Sequence, residues 1–251
     1  MLAEKTALLS LILMVFYIYS KKPIFGFLSW ITFSLSCLLK VPDFLKTSDY
    51  FNTTLFILGS LLFLLISVRI LQRNSRIFVD VTAFSALACA VYFPFAFMPE
   101  LNSIIINRTA ELSTILGNYL GFSIQNQGKF VELNGKRVEI ILACTAIESI
   151  SLFAGATLGI RAEGKRKALA FLLSVPVIYV LNLFRNVFVL VSFAYSWFGE
   201  NSFFIAHHVI SKVLSTIALV IIAYIVFKIL PELAELIYSL KDEILKGGNF
   251  D

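Results

Sequence analysis

The chain has 251 residues, of which 59% are hydrophobic and 15% charged, with 25 phenylalanines and a net charge of +5. A soluble domain carries about 25% charged and about 45–50% apolar residues, so this composition excludes an ordinary soluble enzyme and points to an all-α polytopic membrane protein. The basic residues sit in short clusters between apolar runs rather than pooled on one polar segment, which argues against nucleic acid as a partner.

Taken in chain order, seven apolar stretches approach the ~20 residues that a bilayer core requires. They cover roughly 2–20, 23–40, 51–69, 77–98, 140–160, 168–198 and 205–230. The first, around Thr6 to Tyr19, has the length of a signal peptide. It begins with little positive charge and lacks a small-x-small cleavage site, so it is expected to be a retained helix. Lys21 and Lys22 separate the first two spans, Arg69, Arg73 and Arg76 the third and fourth, and Arg161, Lys165, Arg166 and Lys167 the fifth and sixth; Lys228 follows the seventh. The other connections are charge-balanced. Every second loop is therefore basic, as cytoplasmic loops are, which puts the N-terminus outside and the C-terminus inside the cell.

Residues 1–251 thus read as a single integral membrane domain with two appendages. The first is an extracytoplasmic insertion over 99–139. Its part 101–120 is amphipathic and is expected to lie along the interface. Its second half, Gly121 to Ile140, alternates apolar and polar residues around Asn134-Gly135, a type I′ turn signal that predicts a small hairpin. The second appendage is a cytoplasmic tail, 231–251. After Pro231, residues 232–246 alternate Glu and Lys with Leu and Ile at helical spacing, which predicts a surface helix. No internal repeat is evident.

The three cysteines, Cys37, Cys89 and Cys144, form neither a CxxC motif nor an even framework. Cys37 and Cys89 lie inside apolar runs, where cysteine serves as a small hydrophobe. Cys144 lies at the edge of a span. Counted as helix, it is 17 residues, or ~25 Å, from Arg161. Arg185 is 18 residues, or ~27 Å, from Lys167, and His207 is 21 residues, or ~31 Å, from Lys228. Against a hydrocarbon core of about 30 Å, all three fall near the outer boundary.

A thiol, a guanidinium and an imidazole in one layer can form a nucleophile, an oxyanion clamp and a base. Thiolate is the reactive form of cysteine, and a nearby cation or a helix start favours it. Thr145 can add a hydroxyl to the same pocket. Arg185 within an apolar run is expensive unless it snorkels or faces a polar cavity. Asn182 and Asn186 flank it at helical spacing and suggest such a cavity. His207 and His208 are the only histidines, and their side chains diverge by about 100° on a helix, so one of them faces the bundle. Adjacent histidines do not share a helical face and carboxylates near them are sparse, so no metal site is expected. Glu148, one turn after Cys144, can orient His207 or pair with Arg185; a purely structural ion pair is the competing role.

At these residues the chain resembles the archaeosortase and exosortase family. Ala143-Cys144-Thr145-Ala146-Ile147-Glu148-Ser149 resembles the archaeosortase Cys motif, Phe184-Arg185-Asn186 the Arg motif, and Ala206-His207-His208-Val209-Ile210-Ser211-Lys212 the His motif. The resemblance covers about residues 80–230 and leaves the first three spans without a motif. Archaeosortases often read Cys-Thr-Gly where this chain has Cys144-Thr145-Ala146. The resemblance implies a membrane-embedded cysteine transpeptidase or protease with Cys144, Arg185 and His207 catalytic. Thr145, Glu148, Asn182 and Asn186 would support them, with His208 as the alternative base, and no cofactor is implied. The substrates would be surface proteins bearing a C-terminal signal made of a recognition motif, a transmembrane helix and a basic tail. They would be cleaved at the outer boundary and passed to water or to an amine such as that of a lipid anchor. The competing class is a non-enzymatic transporter or assembly factor with a structural Arg/Glu/His cluster. A transporter would show polar residues at midplane and repeated halves, and neither is evident here.

Overall fold

Long apolar runs without internal charge have one way to satisfy their backbone in a bilayer, which is to coil into helices. The computed structural model describes residues 2–46 and 49–245, and they follow that rule. The helices are α1 (Leu2–Ser20), α2 (Pro23–Lys46), α3 (Tyr50–Gln72), α4 (Arg76–Phe97), α5 (Pro99–Tyr119), α6 (Ile147–Leu158) and α7 (Gly164–Ala194). A short α8 (Ser202–Phe204) continues through a π-helical stretch, Ile205–Ile210, into α9 (Ser211–Ile229), and α10 (Pro231–Leu245) follows. Among the described residues six helical segments are long and apolar enough to cross a membrane: α1, α2, α3, α4, α7 and the composite Gly199–Ile229. The fold is an all-α polytopic membrane protein.

The sequence predicts a seventh span over 140–160, and here the structure differs. Leu142–Cys144 form a 3-10 turn, Ala146 adopts a left-handed φ of 59°, and only the 12 residues of α6 are helical. Such a helix rises about 18 Å, well short of the ~31 Å that residues 140–160 would span as one helix.

Contacts gather the described residues into two compact units: those of Met1–Ala90, Leu158–Ala162 and Pro231–Asp251, and those of Val91–Thr157 and Glu163–Leu230. In the first unit Met14, Tyr17, Trp30, Ile66, Ile70 and Phe78 form a buried core. Gly26 permits close packing there, because a Cβ at that position would lie 2.8 Å from Ile70 Cγ2 and 2.9 Å from the Tyr17 ring. Interhelical hydrogen bonds add specificity: Trp30 Nε1 donates to Thr82 Oγ1 at 2.9 Å, and Ser34 Oγ meets Ser60 Oγ at 2.8 Å. The helix α10 is amphipathic, as its sequence predicts, and turns Leu236, Leu240 and Ile244 onto this core. Residues 246–251 of the tail lie outside the described residues.

In the second unit the segment after α4 forms α5 and then an antiparallel meander of β1 (Gln125–Gln127), β2 (Phe130–Leu133) and β3 (Lys136–Glu139). Asn134 and Gly135 turn β2 into β3 with φ of 51° and 72°, the geometry of a type I′ turn, and Val131 pairs with Val138. The predicted hairpin is present, and β1 adds a third strand. The meander packs on α5 and α7. Ala110, Ile124, Val131, Leu133, Ile140, Val187, Leu190 and Val191 share one buried core, with Cys144 resting against it. Gly117 on α5 allows this approach, since a Cβ there would clash with Ile124 Cδ1.

Candidate active site

The loop that carries Cys144 leaves β3, closes a 3-10 turn and enters α6. Thr145 shapes it: its hydroxyl donates to the Leu142 carbonyl at 2.7 Å, accepts the Ile147 N–H at 3.4 Å, and is fully buried. That hydroxyl is bound to local backbone. Ala146 follows at φ 59°, where a Cβ costs roughly 1–2 kcal/mol. Glycine is free of that cost, which explains why the Cys-Thr-Gly form of the motif suits the same turn.

What holds the loop is α7. Asn182 Nδ2 donates to the Cys144 carbonyl at 2.7 Å, and Asn186 Nδ2 donates to the same oxygen at 3.1 Å. Asn186 also reaches Ser113 Oγ on α5 at 3.4 Å. The two amides are one turn apart, so both face the loop. They clamp a backbone oxygen, a role the sequence did not suggest, and Asn182 also borders a cleft, as the sequence did suggest. Arg185 lies on the same stretch of α7. It is half-buried, and its Nε is enclosed with no hydrogen-bond partner.

Arg185 and Asn182 border a cleft of about 180 Å³ together with Ala143, Ala146 and Glu148. The cleft therefore opens beside the residues on either side of Cys144, though the thiol itself is not among its lining groups. Glu148 is exposed, stands in the first turn of α6 where a carboxylate complements the helix dipole, and forms no ion pair with Arg185 among the described residues. Ser149 and Ser215 complete the polar part of the lining.

His207 occupies the π-helical turn Ile205–Ile210. Such turns occur mostly as short insertions, frequently at functional sites. The imidazole is half-buried and stacks on Phe203, with ring centroids 5.3 Å apart and planes 7° from parallel. Its Nδ1 is enclosed and has no hydrogen-bond partner. Arg185 lies within electrostatic reach of His207. His208 points outward, is exposed, and meets Phe204 at 5.2 Å. Of the two histidines, His207 is the one turned into the protein.

Sequence inspection passed over Phe203, Ser211 and Ser215. A signal for the serines was available: His207, Ser211 and Ser215 repeat every four residues in an otherwise apolar helix, which aligns them on one face. Ser211 is buried and its Oγ has no partner.

The comparisons with known proteins agree with the family resemblance. A family model described as "Transmembrane exosortase (Exosortase_EpsH)" matches residues 4–224. Archaeosortase A of Haloferax volcanii is 28% identical over 246 residues, covering 83% of this chain and 81% of that protein. Archaeosortase A of Natronomonas pharaonis is 30% identical over 134 residues, or 46% of this chain and 42% of that protein. No solved structure matches significantly. The chain belongs to the transmembrane exosortase family, whose class is that of membrane sorting transpeptidases.

Proposed function

We propose that this protein is a cysteine transpeptidase or protease that removes C-terminal sorting signals from surface proteins at the outer boundary of the membrane. The signal would be a short recognition motif, one transmembrane helix and a basic cytoplasmic tail. The helix docks in the bilayer against the bundle and presents the scissile peptide to the loop of Cys144. In this reading residues 99–139 and the site face outside, residues 231–251 face the cytoplasm, and the motif-bearing part is about 80–230.

The chemistry follows from the side chains. His207 takes the thiol proton of Cys144, and the thiolate attacks the scissile carbonyl carbon. The developing oxyanion is met by Arg185. The C–N bond then breaks, His207 returns its proton to the leaving amine, and a thioester remains. An amine, such as one on a lipid head group, or water attacks the thioester and regenerates the thiol. The observation that carries this reading is that Arg185 Nε and His207 Nδ1 are both enclosed without hydrogen-bond partners among the described residues. Buried polar groups are ordinarily paired, and unpaired ones call for an explanation; here a bound substrate would supply the partners.

The test is co-expression with a membrane-anchored protein carrying such a C-terminal signal, followed by mass spectrometry of its C-terminus. Cys144→Ala is expected to leave the substrate wholly in its precursor form. Normal maturation in that variant would remove Cys144 as nucleophile.

A further inference from the structure

Three loops that the sequence marks as basic meet at one cavity of the first unit. Lys21 comes from the α1–α2 connection, Arg76 from the start of α4, and Arg161 from the segment after α6. With Asn74, Ser75 and Val79 they line a space of about 320 Å³. Clustering of basic residues in separate cytoplasmic loops is expected of any membrane protein. Their convergence around a common cavity is not, because like charges brought together repel.

Among the described residues one carboxylate pairs with them. Asp80 forms ion pairs with both arginines, its Oδ1 lying 2.9 Å from Arg161 Nε and its Oδ2 3.9 Å from Arg76 Nε. The Lys21 ammonium makes no ion pair among the described residues, so three cations face a single acid.

The backbone beneath the cavity is fixed. Tyr17 Oη donates to Asn74 Oδ1 at 2.7 Å, and Asn74 Nδ2 donates to the Lys21 carbonyl at 2.8 Å. These bonds hold Lys21, at φ 54°, against the α3–α4 turn. Ser75 Oγ, also in the lining, is enclosed and has no hydrogen-bond partner among the described residues. The cavity therefore combines surplus positive charge, an unpaired hydroxyl and a rigid floor. It lies where α1 and α3 end and α4 begins, the level at which head groups meet spanning helices.

We propose that this cavity is a binding site for a phosphate group, either the head group of an anionic phospholipid or a soluble phosphate ester. Lys21, Arg76 and Arg161 neutralise the anion, and Ser75 Oγ donates to one of its oxygens. The site shares no residue with those proposed for catalysis and does not depend on that proposal.

The experiment uses the full chain in phosphatidylcholine nanodiscs and measures thermal unfolding. One arm adds phosphatidylglycerol to the bilayer; the other adds soluble glycerol 3-phosphate. Wild type is expected to be stabilised in at least one arm, and Lys21→Gln to weaken the apparent affinity about fivefold, the effect of one cation near a phosphate surface. Lys21 makes no ion pair, so this change spares the fold. Lys22→Gln, a neighbouring cation outside the lining, is expected to match wild type. A shift with phosphatidylglycerol alone assigns a lipid head group, and a shift with glycerol phosphate assigns a soluble ester. No shift in either arm, or equal shifts in Lys21→Gln and wild type, would overturn the site. So would an equal loss in Lys22→Gln.

Discussion

At the scale of single residues, the candidate site was readable where a residue type is expensive in its surroundings. Arg185 and His207 stand out because polar groups inside apolar helices demand a reason, and Cys144 because it lies at an edge rather than within a run. What those residues lean on was hidden. An asparagine that clamps a backbone oxygen leaves no trace in the sequence of its acceptor, so the partnership of Asn182 and Asn186 with Cys144 emerges only in three dimensions. Ala146 is the opposite case. Its departure from Cys-Thr-Gly was visible, and its φ of 59° gives the departure a physical meaning. Ala146→Gly relieves roughly 1–2 kcal/mol of steric cost against about 0.5–1 kcal/mol of added chain entropy. We expect a net gain of about 0.5–1 kcal/mol, read as a higher midpoint of thermal unfolding in detergent. A lower midpoint would mean that the left-handed turn carries no strain.

At the scale of elements, α7 is the organiser of the second unit. One face holds Val187, Leu190 and Val191 in the core beneath the meander, and the amides of Asn182 and Asn186 hold the Cys144 loop. The two amides share an acceptor, so they should not behave independently. Asn182→Ala leaves Asn186 in place, and the reverse also holds. The double variant strips the carbonyl of both donors, a loss of about 1–3 kcal/mol where the site is closed to water. Substrate processing is expected to fall a few-fold in each single variant and by tenfold or more in the double, beyond the product of the singles. Strictly multiplicative losses would show that the amides act separately. Element boundaries were legible in proportion to their apolar length. The six long spans were evident, whereas α6 was overestimated because a left-handed residue and a 3-10 turn interrupt an apolar stretch without changing its composition. The strand β1 was missed because Gln125, Asn126 and Gln127 are all polar and exposed, and so offer no alternation. The π-helical turn has no residue-type signature at all.

At the scale of the whole molecule, composition alone established a multi-pass membrane protein, and the family match agrees. Orientation is a matter of loop charge. If the basic loops are cytoplasmic, a membrane-impermeant maleimide applied to intact cells should label Cys144 and spare Cys37 and Cys89, which lie within spanning helices. Labelling of Cys144 only in inverted vesicles would reverse the topology. The ring stack that supports His207 has a further consequence. In many catalytic Cys–His or Ser–His pairs a third group hydrogen-bonds the imidazole and fixes which nitrogen bears the proton. Here Phe203 fixes the plane of the ring, while no hydrogen bond among the described residues selects its tautomer. The choice of tautomer is thus left to whatever docks against the ring, so that the incoming peptide takes part in preparing the base that will act on it.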